Sequence, residues 1–292
     1  MNIRHAVVAN QFYPGDKEHL VRELEKSFLD KERGPGKLPV IGKGEKEILG
    51  VVVPHAGYMF SGAIAAHSYY KIAENGFADS FIILGPNHTG YGSPVAAMIK
   101  GIWETPLGEV KINEELGKEV WKGIIDNDET AHMYEHSIEV QLPFLQYINK
   151  KFDFVPICLA MQDYETSLEI GEILAEAIKK IGKKTSIVAS TDFSHVGFNY
   201  RSMPPKDMRV DEYAKKQDKI AIDEVLKLDP KGLIDKVYQY NISMCGYGAV
   251  ASMLVAAKKL GAKKAELLKY GTSYEVYPNT SCVGYGAIAI YK

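Results

Sequence analysis

Three stretches of this chain carry a histidine in a polar loop directly after a short apolar run. Ile48 to Val53 leads into Pro54-His55-Ala56-Gly57-Tyr58, and Ser80 to Leu84 leads into Gly85-Pro86-Asn87-His88-Thr89-Gly90. Thr185 to Ala189 leads into Ser190-Thr191-Asp192-Phe193-Ser194-His195. Imidazole is the side chain best suited both to bind a transition metal and to move protons near neutral pH. Taken singly, each histidine reads first as a core or capping residue satisfied by hydrogen bonds. Their joint placement favours chemistry, because Gly57 and Gly90 permit tight turns and the prolines stiffen loops that aim side chains.

A thiol and a fourth histidine extend the set. Cys245 stands in Met244-Cys245-Gly246-Tyr247-Gly248, at the start of an apolar helical run where free backbone N–H groups favour a thiolate. It can ligate a metal or fill space as a small hydrophobe, which is how Cys158 and Cys282 read, and spacing leaves that choice open. His136 and Glu139 lie three apart in Glu135-His136-Ser137-Ile138-Glu139, so a helix would put them on one face. The order is the reverse of the Glu-x-x-His of di-iron bundles, which points to a capping or supporting role. His5, His19, His67 and His132 read as surface or packing residues.

The elements that must position these groups alternate. The three apolar runs read as strands buried on both faces, and helical patterns cover 61 to 73 and 168 to 181. An N-cap at Asp16 opens a helix over 16 to 29, and 34 to 44 has the turn residues of an exposed loop. Helices are expected over 207 to 228 and 245 to 260, and late strands over 264 to 270 and 285 to 291. Pro143 should kink a helix over 136 to 149. This order predicts an α/β fold with a central, mostly parallel sheet covered by helices on both faces. Loops at the carboxyl ends of parallel strands share one edge, so the three histidine loops should meet in one crevice. No linker or composition shift divides the chain, and residues 1–292 read as a single domain.

Composition narrows the function classes. The 292 residues are 46% hydrophobic and 25% charged, and 35 basic against 37 acidic residues are mixed along the chain. That balance leaves no electrostatic footprint for a nucleic acid. The N-terminus lacks an apolar signal region and no run approaches the roughly 20 apolar residues that span a bilayer, so no membrane association and a cytoplasmic location are expected. Three cysteines with no C-x-x-C spacing agree with a reducing compartment. Neither a phosphate-binding loop nor a dinucleotide fingerprint occurs.

Pro54-His55-Ala56-Gly57-Tyr58, Leu84-Gly85-Pro86-Asn87-His88, Glu135-His136-Ser137-Ile138-Glu139, Ser190-Thr191-Asp192-Phe193-Ser194-His195 and the Cys245-Gly246 helix start together resemble the successive signatures of the Memo family. The resemblance spans nearly the whole chain, in order. That family is similar to the catalytic subunit of class III extradiol dioxygenases, which implies a three-layer α/β fold and a non-haem metal site. By resemblance His55, His88 and Cys245 are the metal ligands, Asp192 and His195 line the same pocket as catalytic groups, and His136, beside it, completes the catalytic set. The dioxygenases hold their iron with two histidines and a carboxylate, where a thiolate is softer and itself oxidisable. The function expected is a metal-dependent oxidoreductase using iron or copper on a small substrate, with His195, oriented by Asp192, moving protons. Two alternatives are a non-catalytic module that binds a ligand or peptide in the same crevice, and a zinc hydrolase. The resemblance also implies association with radical-SAM and AMMECR-type proteins.

Overall fold

The computed structural model describes residues 2–44 and 47–292. A short strand, β1 (Ile3–Arg4), precedes helix α1 (Lys17–Leu29), whose N-cap Asp16 accepts from the His19 N–H and whose Leu20, Leu24 and Phe28 are buried. Then come β2 (Ile48–Val53), α2 (Tyr58–Glu74) and β3 (Ser80–Pro86). Four short strands, β4 (Val95–Ala97), β5 (Ile102–Thr105), β6 (Gly108–Ile112) and β7 (Asp126–Asn127), surround α3 (Glu114–Val120). The second half runs α4 (Leu142–Ile148), β8 (Asp153–Leu159), α5 (Tyr164–Ile181), β9 (Thr185–Ser190) and β10 (His195–Gly197). It closes with α6 (Val210–Leu226), α7 (Pro230–Tyr240), α8 (Tyr247–Lys259), β11 (Lys264–Thr272) and β12 (Ser281–Tyr291).

The twelve strands among the described residues join one mixed sheet. Its centre, in the order β8-β3-β9-β2, is parallel throughout, and β12 joins β2 antiparallel while carrying β10 and β11. The central strands are apolar on both faces because both faces are covered. Phe81 and Ile83 of β3 point into a core shared with α1, α2 and α4, while Ile82 and Leu84 point into the one beneath α3 and α5 to α8. The expected three-layer α/β architecture with a largely parallel centre is therefore the one observed. Gly182, in the left-handed region at φ 68°, ends α5 where a side chain would be strained.

The segment before α4 departs from expectation. No helix runs from 136; a 3-10 turn at Glu139–Gln141 hands over to α4, and Pro143 sits in the first helical turn, where its missing N–H costs nothing. His136 and Glu139 consequently do not share a helix face. Helix α7, opened by the Asp229 cap and Pro230, and strands β4 to β7 are additional to the expected elements. Among the described residues no helix is long and apolar enough to cross a membrane.

Candidate metal centre

Strands β2, β3 and β9 lie side by side in parallel register, so the loops after them leave one edge of the sheet. Their ends are stitched together, the Thr191 N–H donating to the Val53 carbonyl at 2.9 Å. A cavity of about 380 Å³ opens there, and its polar lining includes His55, His88, His136, Asp192 and His195. Phe12, Phe60, Tyr200, Tyr277 and Tyr285 supply aromatic walls. All three histidine loops do meet in one crevice.

The ring nitrogens are set by their supports. Ser190 Oγ donates its one hydrogen to the Ser137 carbonyl at 2.6 Å and accepts from Gln141 Nε2 at 2.8 Å. It can therefore only accept from His55 Nδ1 at 2.9 Å, which puts that ring's hydrogen on Nδ1 and leaves Nε2 as a lone pair. His88 Nδ1 meets Glu135 Oε1 at 3.0 Å, and the other carboxylate oxygen accepts the His88 backbone N–H. His195 Nδ1 faces the Ser243 carbonyl at 2.9 Å, an acceptor only, so Ser243 rather than Asp192 orients this ring. In all three, the supporting bond is made at Nδ1, which leaves the lone pair on Nε2. Such outer partners fix tautomer and aim in metal sites.

His136 belongs to the cluster rather than beside it. Its ring stacks on His88 at 4.6 Å between centroids and lies 5.4 Å from His55. One nitrogen from each of His55, His88 and His136 falls within 4.8 Å of the others, a spacing from which one ion could reach all three. Burial, then the neighbouring His88, His136 and His195, hold His55 well below the usual imidazole range. Burial is also the main reason His136 is lowered to about 4, against the opposing pull of Glu135. Burial resists ionisation of Glu135, but the His88 hydrogen bond and the charges of His88 and His136 outweigh it and hold the carboxyl at about 2. The result is a pair of neutral imidazoles backed by a carboxylate, and neutral imidazole is the metal-binding form.

Cys245 is not a member of that three-nitrogen cluster but lies against His55 Nε2. Its Sγ is 3.2 Å from His55 Nε2 and accepts the Asp192 N–H at 3.2 Å. Because His55 Nε2 carries only a lone pair, the S–H donates to it. The helix start at Gly246 does not produce the thiolate that its position in sequence favours: burial first, and the Asp192 carboxylate second, push the thiol up. Asp192 Oδ1 accepts the His55 N–H at 2.8 Å, and burial raises its carboxyl against the influence of His195. Glu135, Ser190, Gln141 and Ser243 had no mark in the sequence as supports, apart from the adjacency of Glu135 to His136.

Residues 4–289 match the family described as Memo-like protein. A MEMO1 family protein of Methanopyrus kandleri is 47% identical over 99% of both chains, and one of Methanocaldococcus jannaschii is 45% identical over 99% of both. In fold, the chain resembles an uncharacterized protein of Escherichia coli K12, with a TM-score of 0.55 over 84% of this chain and 100% of that one. At 12% identity that likeness is one of architecture alone. With the family match running almost end to end and relatives sharing nearly half their residues over full length, this chain belongs to the Memo-like family.

Proposed function

We propose that the crevice holds one metal ion on His55, His88 and His136, joined by Cys245 once its thiol ionises, and serves an oxidoreductase acting on a small molecule. The observation that carries this reading is the gathering of three imidazole nitrogens within 4.8 Å of one another on the wall of one cavity. Packing does not require such a cluster, since the buried His55 imidazole has a desolvation cost that only its supports offset. An iron or copper ion at such a nitrogen and sulfur donor set would supply redox and Lewis-acid chemistry.

This chain's own groups do the rest. His195 Nε2, with Nδ1 committed to Ser243, is the free proton acceptor on the cavity wall. Asp192 ties the His55 backbone to the β9 loop and so couples ligand and proton-transfer group. Phe12, Phe60 and Tyr285 give the cavity aromatic walls, and about 380 Å³ suits a small molecule.

The test combines metal analysis of protein purified without added metal with oxygen uptake on a panel of catechols. Iron or copper together with turnover supports the reading. Zinc with ester or amide cleavage transfers the site to hydrolysis, and absence of both metal and turnover leaves a ligand-binding crevice.

A further inference from the structure

Glu139 closes one of the sequence signatures, yet it does not reach the cavity. It is fully buried, and Arg4 from β1 is nearly so. The Arg4 Nη1 donates to Glu139 Oε2. We propose that this Arg4–Glu139 pair is a positioning clamp that holds His136, and Glu135 with the His88 it orients, in place for metal; the inference rests on the metal reading above.

The hydrogen bonds show what the clamp grips. Arg4 Nε donates to the His132 carbonyl at 3.1 Å and Nη2 to the Glu135 carbonyl at 2.6 Å, so one guanidinium spans the turn that carries Glu135 and His136. Its planar fork suits such multiple, direction-specific contacts. Glu139 grips the opposite partner, accepting from the Val7 N–H at 3.0 Å, the Val8 N–H at 3.1 Å and Tyr13 Oη at 2.6 Å. Those residues lead to Phe12, whose ring lies 4.6 Å from that of His136 and forms part of the cavity wall.

A buried ion pair is a weak source of stability, because desolvation of both charges offsets their attraction and apolar residues would often serve as well. What this pair supplies is geometry. Residues 132 to 138 contain turns and a 3-10 segment but no α-helix or sheet ladder, so side-chain hydrogen bonds must fix them. Neither Arg4 nor Glu139 lines the cavity, so the clamp acts on these histidines from outside it.

The test uses ring-nitrogen NMR of metal-free, 15N-histidine-labelled protein, followed by zinc titration. Glu139→Gln keeps the shape of the side chain and removes its charge. The His88 and His136 ring nitrogens should move toward tautomer-averaged positions while those of His195, held by Ser243, stay in place, and zinc affinity should fall roughly 10–100-fold, as for other supports of metal ligands. Tyr13→Phe removes one donor and should shift the same nitrogens less, which keeps the test decisive if Glu139→Gln does not fold. Leu174→Ala, a cavity in the opposite core layer, should lower thermal stability and leave these nitrogens and zinc affinity unchanged. Wild-type His88 and His136 signals in both folded variants, or the same shifts in Leu174→Ala, would overturn the clamp. Failure of wild-type protein to take up zinc or any other metal refutes the site reading instead, and the ring signals still decide whether the clamp positions the histidines.

Discussion

Cys245 and His55 share a single proton in this structure, with Sγ 3.2 Å from an Nε2 that has no hydrogen of its own. A metal ion that takes both donors must expel that proton, whereas an ion held by neutral imidazoles alone expels none. Calorimetry in buffers of different ionisation enthalpy should therefore find about one proton released per ion bound near neutral pH. Cys245→Ser should abolish the release and weaken binding far more than Cys158→Ser, since Cys158 is buried in β8 against Ala96 and Ala131. Equal affinities in the two variants would remove Cys245 from the ligand set. His195 tests the other half of the site: His195→Ala should keep metal near wild type while any activity falls ~10²–10⁴-fold. Loss of the metal would instead make His195 a ligand or its support. His55, His88, Asp192 and His195 were legible because each follows a strand in a polar loop. The place of His136 was not, since the apolar pattern of 136–149 extends the true helix α4 back over residues 136–141, where the chain actually turns, and a serine such as Ser190 carries no sign in sequence of the ring it will hold.

The elements bring these residues together through close backbone approaches. Gly85, near the end of β3, has no room for a side chain: a Cβ there would lie 2.4 Å from Ser137 Oγ and 2.9 Å from Ile138 Cγ1. This contact seats the turn bearing Glu135 and His136 against the strand that delivers His88. Gly85→Ala should cost about 1–3 kcal/mol as an overpacking change, measured by chemical denaturation, and should lower metal affinity as well. Stability and affinity both at wild-type values would show that the turn is not seated by this approach. The long apolar strands and α8 could be read from the sequence because burial on both faces leaves continuous apolar runs. Strands β4 to β7, two to five residues each, are too short for any periodicity, and Pro143 reads as a kink or as a helix start depending on where the helix begins.

At the scale of the molecule, two core layers enclose a sheet, and the buried His55 and His132 imidazoles, both held below the usual imidazole range by burial, make the metal-free protein acid-sensitive. His132 is fully buried beside Trp103; burial first, then the Arg4 charge, bring it down from 6.5 to about 4. Between pH 6.5 and 4 the unfolded chain takes up a proton there that the folded chain refuses, so stability is complete above 6.5 and falls as pH drops through that window. The size for His132 alone is up to about 3 kcal/mol. Glu135, depressed to about 2, adds a further loss below its ordinary range near 4.5. Denaturant unfolding of metal-free protein at pH 7, 5.5 and 4.5 should show the decline, and His132→Gln should make it shallower; an unchanged slope would mean that His132 is not the group titrating. Fold class and the crevice followed from strand and helix order, because parallel strands must share an edge. The grouping of His136 with His55 and His88 did not, because it depends on turns from three distant parts of the chain. The most direct measurement is metal content and X-ray absorption at the metal edge for wild type, His88→Ala and the His55→Ala/His88→Ala pair. The expected result is one ion per chain with histidine nitrogen ligands in wild type, reduced in the single variant and lost in the double, and full metal content in the folded double variant would contradict it.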